Sequence, residues 1–230
     1  MNMNTLKINE IFHSIQGEST WAGLPCVFVR LTGCHLRCAY CDTEYAFHEG
    51  DRRSIDDILD EVARRGPHTK LVEITGGEPL LQKPVHELMT RLADAGYTVL
   101  IETSGACDIS VCDPRIIRIM DLKTPGSGEV DRNDYDNIAR LAPRDEVKFV
   151  LTSRADYDWA RDLIRTHALH EKVHAILFSA VAPMVPTDEL AGCEGLSLRD
   201  LAEWVLADGL PVRLQTQLHK HIWAPTARGV

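Results

Sequence analysis

The sequence predicts an α/β protein built as a single-domain partial (open) βα barrel with about six parallel strands, and three observations lead there. Short apolar, β-branched runs recur along the chain, amphipathic segments of helical period separate them, and chemically unusual residues follow the runs. Alternation of this kind implies right-handed βαβ units, with a parallel sheet covered by helices. About six units fall short of the eight that close a barrel of about 250 residues, so the sheet is expected to stay open.

The first run, residues 26–31 (CVFVRL), reads as a buried parallel strand, as do 71–75, 98–102, 116–122, 147–151 and 173–179. Ser54 followed three residues on by Asp57 resembles a capping box, and Ile55, Ile58, Leu59 and Val62 then share one helical face. Ser197 and Asp200 repeat the device, with Leu198, Leu201, Ala202, Val205 and Leu206 as the expected buried stripe. Residues 85–95 and 155–167 complete the helices, and 124–130 (TPGSGEV) reads as a loop. No repeat, linker or low-complexity stretch interrupts the chain, so one domain is expected across residues 1–230.

Hydrophobic residues at 44% and charged residues at 26% match folded globular chains and exclude a disordered or fibrous class. A net charge of -9 lacks the basic footprint of phosphate-backbone binding, so no direct nucleic-acid partner is expected. The first residues carry no basic segment followed by an apolar run, and no stretch nears the roughly 18 apolar residues of a membrane span. A cytoplasmic protein with no membrane partner is the expectation. Of seven cysteines, three crowd into residues 34–41 while Cys26, Cys107, Cys112 and Cys193 are scattered, which reads as metal binding plus buried thiols.

In parallel sheets, active sites gather at the carboxyl ends of the strands. The cysteine loop follows the first run there, Thr75-Gly76-Gly77-Glu78-Pro79 the second, Thr103-Ser104-Gly105 the third and Lys123-Thr124-Pro125-Gly126 the fourth, while Ser179 closes the sixth. Cys34, Cys38 and Cys41 form C-x3-C-x2-C, a compact loop that can ligate three irons of a 4Fe-4S cluster and leave the last iron for an exogenous ligand. Were that ligand S-adenosyl-L-methionine, electron transfer into its sulfonium would release a carbon radical, chemistry delegated to the cofactor. A zinc site using the same thiolates with His35 or Cys26 remains open on spacing alone. Gly76-Gly77-Glu78-Pro79 lets backbone approach a ligand closely, with Glu78 and nearby carbonyls accepting from an ammonium.

Together with Gly-Gly-Glu-Pro, and with Tyr40 beside the last cysteine, the triplet resembles the radical S-adenosylmethionine superfamily. Residues 10–18 (EIFHSIQGE), Cys41-Asp42-Thr43 and residues 214–220 (LQTQLHK) are similar to the 7-carboxy-7-deazaguanine synthases, a likeness running from about residue 8 to 223. It implies conversion of 6-carboxy-5,6,7,8-tetrahydropterin to 7-carboxy-7-deazaguanine with loss of ammonia, on the route to queuosine. It also implies catalytic use of S-adenosylmethionine, a Mg2+ requirement, a homodimer, and a reducing protein such as flavodoxin or ferredoxin.

By the same resemblance Ile15, Gln16, Gly17, Glu18, Arg30 and Thr75 contact the pterin, with residues 1–25 contributing to that site. Arg30 meets the substrate carboxylate, or else forms a structural salt bridge. Thr43 supplies a hydroxyl to Mg2+, a metal that keeps several waters, or else caps a turn. Tyr40, Asp42, Gly77, Glu78, Lys123 and Ser179 fall at cosubstrate positions, and Asp121 is left unassigned because Asp-Leu-Lys stands where some members have Ser-Pro-Lys. Residues 213–230 read as a C-terminal extension. Some relatives use a terminal carboxylate just past this motif, a role not carried over to a chain that continues through Trp223 to Val230. No general base is chosen among Glu18, His13 and a metal-bound water. The competing readings are an activase that abstracts hydrogen from a glycine of a partner protein, and a zinc-binding interaction module.

Overall fold

The structure, a computed structural model, describes residues 4–224 and 227–230. Among the described residues nine strands occur in chain order: β1 (Thr5–Ile15), β2 (Pro25–Leu31), β3 (Asp51–Ser54), β4 (Leu71–Gly76), β5 (Thr98–Ser104), β6 (Ile117–Asp121), β7 (Glu146–Leu151), β8 (Ala175–Ala180) and β9 (Arg213–Gln215). The helices are α1 (Ile55–Arg65), α2 (Val85–Asp94), α3 (Asn137–Arg140), α4 (Arg154–His167), α5 (Leu169–Lys172), α6 (Leu198–Asp208) and α7 (His219–Ile222). All strands join one sheet of order β3-β1-β2-β4-β5-β6-β7-β8-β9. From β2 to β9 neighbours run parallel, whereas β1 pairs antiparallel with both β2 and β3.

The expected parallel set is present, with boundaries moved by one or two residues, and β9 extends it. Three strands exceed the expectation of about six. Of these, β1 hides its period because its pairing with β2 shifts register between Ile8 and Glu10. Leu6 and Ile8 before the shift, and Ile11 after it, all reach the helix-side core, while Phe12 enters the barrel interior. A bulge thus reverses the alternation halfway along the strand. Residues 213–230, expected as an extension, begin inside the sheet as β9.

Outside the sheet, Val27, Val72, Ile74, Ile101, Val147 and Phe149 pack with Leu88, Met89, Leu92, Tyr157 and Ile164 of the helices. Ser54 caps α1 as expected, accepting from the Asp57 amide at 3.1 Å, and Ile55, Ile58 and Val62 are buried. Ser197 likewise caps α6 through the Asp200 amide at 3.3 Å, but the expected stripe fails: only Leu201 is fully buried and Leu206 is 80% exposed. This helix packs against β8 near the sheet margin, where Leu201 meets the core and Leu198 turns to a cavity wall.

Inside the barrel, Phe12, Cys26, Phe28, Leu71, Leu100, Ile119, Ala175 and Leu177 form an apolar floor. Phe12 and Phe28 stack with ring centroids 4.9 Å apart. The loop from Gln16 to Leu24 reaches across the open seam. Ser19 N donates to Gln215 Oε1 at 2.8 Å, Thr20 N to Glu146 Oε2 at 3.1 Å, and Leu218 N to the Gly17 carbonyl at 2.9 Å.

Candidate functional site

Above the apolar floor, the inward positions of the parallel strands become polar. Register sets Arg30 of β2 beside Thr75 of β4, Ser104 of β5 beside Asp121 of β6, Asp121 beside Lys148 of β7, and Ser179 of β8 beside Gln215 of β9. These strand ends, with Glu73 and Glu102 among them, open on a cavity of about 590 Å³.

Cys34, Cys38 and Cys41 line the same cavity as free thiols, on a loop packed against Leu36, Tyr40, Val150 and Val181. That loop is held by its backbone, with Gly33 N donating to the Ala46 carbonyl at 2.8 Å and Ala39 N to the Ser127 carbonyl at 2.9 Å. A Cβ at Gly77 would overlap the Gly33 carbonyl oxygen and crowd Cys34 Cβ, so glycine there lets the strand end touch the cysteine loop. Burial pushes the Cys38 thiol up to about 11 and raises Cys34 and Cys41 as well, so iron has to displace protons on binding. Among the described residues no three His, Cys, Asp or Glu side chains converge on a single ion position. Three thiols facing one roomy cavity, too dispersed for one ion, suit a multi-iron cluster better than zinc. Of the two candidate fourth ligands, Cys26 lies in the barrel floor and His35 does not line the cavity.

Tyr40 is buried beside the thiols, its hydroxyl 3.5 Å from the Val150 carbonyl. Lys123 Nζ donates to Asp121 Oδ2 at 2.8 Å, while Asp121 Oδ1 is buried with no hydrogen-bond partner among the described residues. Burial would lower the Lys123 ammonium, but the Asp121 charge outweighs it and holds the group well above its ordinary value. Ser179 Oγ accepts from Gln215 Nε2 at 2.9 Å. Thr43 Oγ1 stands 3.7 Å from Cys41 Sγ at the cavity wall.

Glu78 departs from expectation. Its Oε1 accepts from Leu80 N at 2.9 Å and Thr103 Oγ1 at 2.7 Å, its Oε2 from Ser104 N and Oγ at 2.7 and 2.6 Å, and it is wholly buried. The side chain therefore braces the β4 turn against the end of β5, and no oxygen is left to take an ammonium. His13 is likewise excluded as a base in the cavity, because its Nε2 lies 2.8 Å from Thr69 Oγ1, away from the site.

On the opposite wall Gln16 Oε1 accepts from Glu18 N at 2.9 Å, and Gln16 Nε2 donates to Glu73. Lys148 Nζ bridges Glu18 at 2.6 Å and Glu102 at 2.5 Å, and Thr75 Oγ1 lies 3.4 Å from Glu102. Burial would raise the Glu102 carboxyl, but Lys148 draws it below the usual range. Arg30 turns its Nε to Glu10 at 2.8 Å, the structural salt bridge, and its two terminal nitrogens make no hydrogen bond among the described residues. Gly17 abuts His219, whose ring a Cβ would strike. Lys220 Nζ and Gln217 Nε2 reach Asp42 at 2.7 and 3.0 Å, tying the cysteine loop to the C-terminal segment. That segment lines the site from Thr216 to His221. The Arg228 guanidinium sits 3.8 Å from the Tyr45 ring centroid, and Val230 lines the cavity.

A Radical SAM superfamily profile matches residues 28–121, spanning the cysteine loop and the β4 turn. A protein of Koribacter versatilis named 7-carboxy-7-deazaguanine synthase is 46% identical over 228 residues, covering 98% of this chain and 100% of that one. The chain belongs to the 7-carboxy-7-deazaguanine synthase family. Another protein so named, from Chlorobaculum tepidum, is 45% identical over 229 residues, covering 98% and 97% of the two chains. The crystal structure of QueE from Escherichia coli matches with a TM-score of 0.69 at 25% identity, over 94% of this chain and 95% of that one. Streptococcus suis SuiB bound to S-adenosylmethionine shares the fold alone, with a TM-score of 0.57 at 15% identity over 80% of this chain and 48% of that one.

Membership of this superfamily implies a 4Fe-4S cluster and S-adenosylmethionine, and the three thiols fit the cluster. Every individual residue that the likeness to 7-carboxy-7-deazaguanine synthases singled out lines the cavity, except Glu78; of the segment 1–25, Phe12 and residues 15–19 do so, and residues 1–3 lie outside the described residues. Glu73, Glu102 and Lys148 were not foreseen. Each is a charge inside an apolar strand run (LVEIT, VLIET, EVKFV), the same signal that singled out Arg30.

Proposed function

We propose that this chain is a radical S-adenosylmethionine enzyme converting 6-carboxy-5,6,7,8-tetrahydropterin to 7-carboxy-7-deazaguanine and ammonia, within queuosine biosynthesis. The observation that carries this reading is the near-complete coverage at 46% identity with a protein of that name, together with the gathering of the matched residues around one cavity.

Cys34, Cys38 and Cys41 would hold the cluster, which with S-adenosylmethionine supplies the carbon radical that opens a ring contraction. The chain's own residues bind and orient. Lys148, shared between Glu18 and Glu102, holds both carboxyl groups in place as acceptors for the amino and ring N–H groups of a pterin. Arg30, braced through Nε by Glu10, keeps its terminal nitrogens for the substrate carboxylate. The Asp121–Lys123 pair and Ser179 stand near the thiols to orient the cosubstrate. Thr43 offers a hydroxyl to a Mg2+ otherwise held by water and substrate oxygens; Asp42 beside it is taken by Lys220. The family likeness further supports a cytoplasmic homodimer fed by flavodoxin or ferredoxin.

Anaerobically reconstituted protein, given 6-carboxytetrahydropterin, cosubstrate, dithionite and Mg2+, is expected to form the deazapurine and ammonia in equal amounts. Omitting Mg2+ should slow turnover, and C38A should lose both turnover and the cluster's absorbance. Cosubstrate cleavage without any deazapurine would sink the substrate assignment and leave the superfamily chemistry standing.

A further inference from the structure

Among the described side chains, Glu73 is the cavity carboxylate without a cation of its own. Glu18 and Glu102 share Lys148, Asp121 pairs with Lys123, and Asp42 pairs with Lys220. Glu73 is only 4% exposed, yet it lines the cavity, and in register it lies between the apolar Phe28 of β2 and Leu100 of β5. Its Oε2 accepts from the Gln16 amide; its Oε1 makes no hydrogen bond among the described residues. The Glu18 amide fixes which end of Gln16 faces Glu73, because it donates to Gln16 Oε1 at 2.9 Å. Nε2 is thereby turned to Glu73 and can only donate, so any proton on this carboxyl sits on Oε1, on the cavity side.

We infer that Glu73 is a further substrate-recognition residue, locking Gln16 in place through one oxygen and offering a hydroxyl hydrogen from the other to an acceptor atom of the bound heterocycle. This rests on the pterin reading and deepens it. A pterin edge alternates N–H donors with carbonyl and ring-nitrogen acceptors; Glu18 and Glu102, both paired with Lys148, serve the first, and a neutral acid serves the second.

Charge counting supports the neutral form. Around Glu73 stand Glu18 from the β1–β2 loop, Arg30 and Cys26 from β2, Glu102 from β5 and Lys148 from β7. Arg30 is engaged by Glu10, and Lys148 already faces two carboxylates. A third anion would go uncompensated at a site of low polarisability. Burial first, then the charges of Glu102 and Glu18, hold the Glu73 carboxyl well above the usual carboxylate range.

The test uses reconstituted holoenzyme and the KM for 6-carboxytetrahydropterin from pH 6 to 9. E73L, which neither accepts nor donates, should raise KM about tenfold, the equivalent of ~1.4 kcal/mol. E73Q accepts through its carbonyl and donates through its amide, so it should recover most of that loss. The parent should lose affinity toward high pH as Glu73 ionises; E73Q should lack that limb. Unchanged iron content and unchanged cosubstrate cleavage without substrate would locate the effect in substrate recognition. A KM of E73L equal to that of the parent, or E73Q no better than E73L, overturns the inference. If E73L does not fold, the pH comparison of parent and E73Q decides, and identical alkaline limbs overturn it. A parent that binds no pterin at all instead overturns the functional reading on which the inference rests.

Discussion

On β4, Val72 and Ile74 point outward and are fully buried among helix side chains, while their neighbours Glu73 and Thr75 point into the cavity. The same contrast recurs on β5, where Ile101 adjoins Glu102, and on β7, where Val147 and Phe149 flank Lys148. The outer face is driven by removal of apolar surface from water, which is non-directional and tolerant of exchange among residues of similar size. The inner face carries charges whose desolvation opposes folding, and they persist only where each finds a partner. Stability therefore resides mainly outside the sheet and recognition inside it, although the same strands carry both.

The sharpest way to break this contrast is K148M. Removing the one cation shared by Glu18 and Glu102 leaves two carboxylates facing each other in the cavity. We expect kcat/KM for the pterin to fall at least about 100-fold, ~2.7 kcal/mol of transition-state stabilisation. Steady-state kinetics read this directly. If kcat/KM survives, the inner charges are not the recognition surface.

L88A sharpens the other side. Leu88 on α2 is fully buried in the helix-side core, so its truncation should cost ~3 kcal/mol of unfolding free energy by transfer and cavity terms. Urea denaturation measures that loss, and kcat/KM at a temperature where the variant is folded should stay within about twofold, since surface and core changes remote from a site act through stability. A large kinetic defect in folded L88A would show that the two faces are mechanically coupled.

The outer face was also the legible one. Parallel strands buried on both sides read as apolar runs, and that pattern located six of the nine strands and the main helices. The shift between Ile8 and Glu10 erased the period of β1, and β3 and β9 are too short to show one. At the site, the cysteine triplet and the Gly-Gly-Glu-Pro turn were local in sequence and therefore visible. Glu73, Glu102 and Lys148 acquire meaning only when three strands from distant parts of the chain are placed side by side. Val230 reaches the cavity through long-range packing of Arg228 on Tyr45, which no local pattern encodes. Glu78 misled because the motif marks a position, whereas the hydrogen bonds from Thr103 and Ser104 decide what its side chain does.

The smallest expected effect separates the lower interior from the cavity above it. Glu146 on β7 points inward, is fully buried and accepts from Thr20 N and Oγ1, which anchors the loop that carries Gln16 and Glu18. Burial raises its carboxyl above the ordinary glutamate value, and the bonds from Thr20 only partly oppose this. With the folded value above the unfolded one, the stabilising contribution is fully present below about pH 4.3 and is lost as pH rises through the raised folded value. E146Q keeps an acceptor for Thr20 and never ionises, so it matches the parent at low pH and gains on it as pH climbs. The melting temperature of E146Q minus that of the parent should therefore widen from pH 5 to pH 8, by about 2–4 °C if the linkage is worth ~1 kcal/mol. A difference that stays flat or narrows would mean that Glu146 is buried as an anion, and that the Thr20 bonds with Arg213 and His174 nearby offset its desolvation, so that the floor of the barrel obeys the same pairing rule as its mouth.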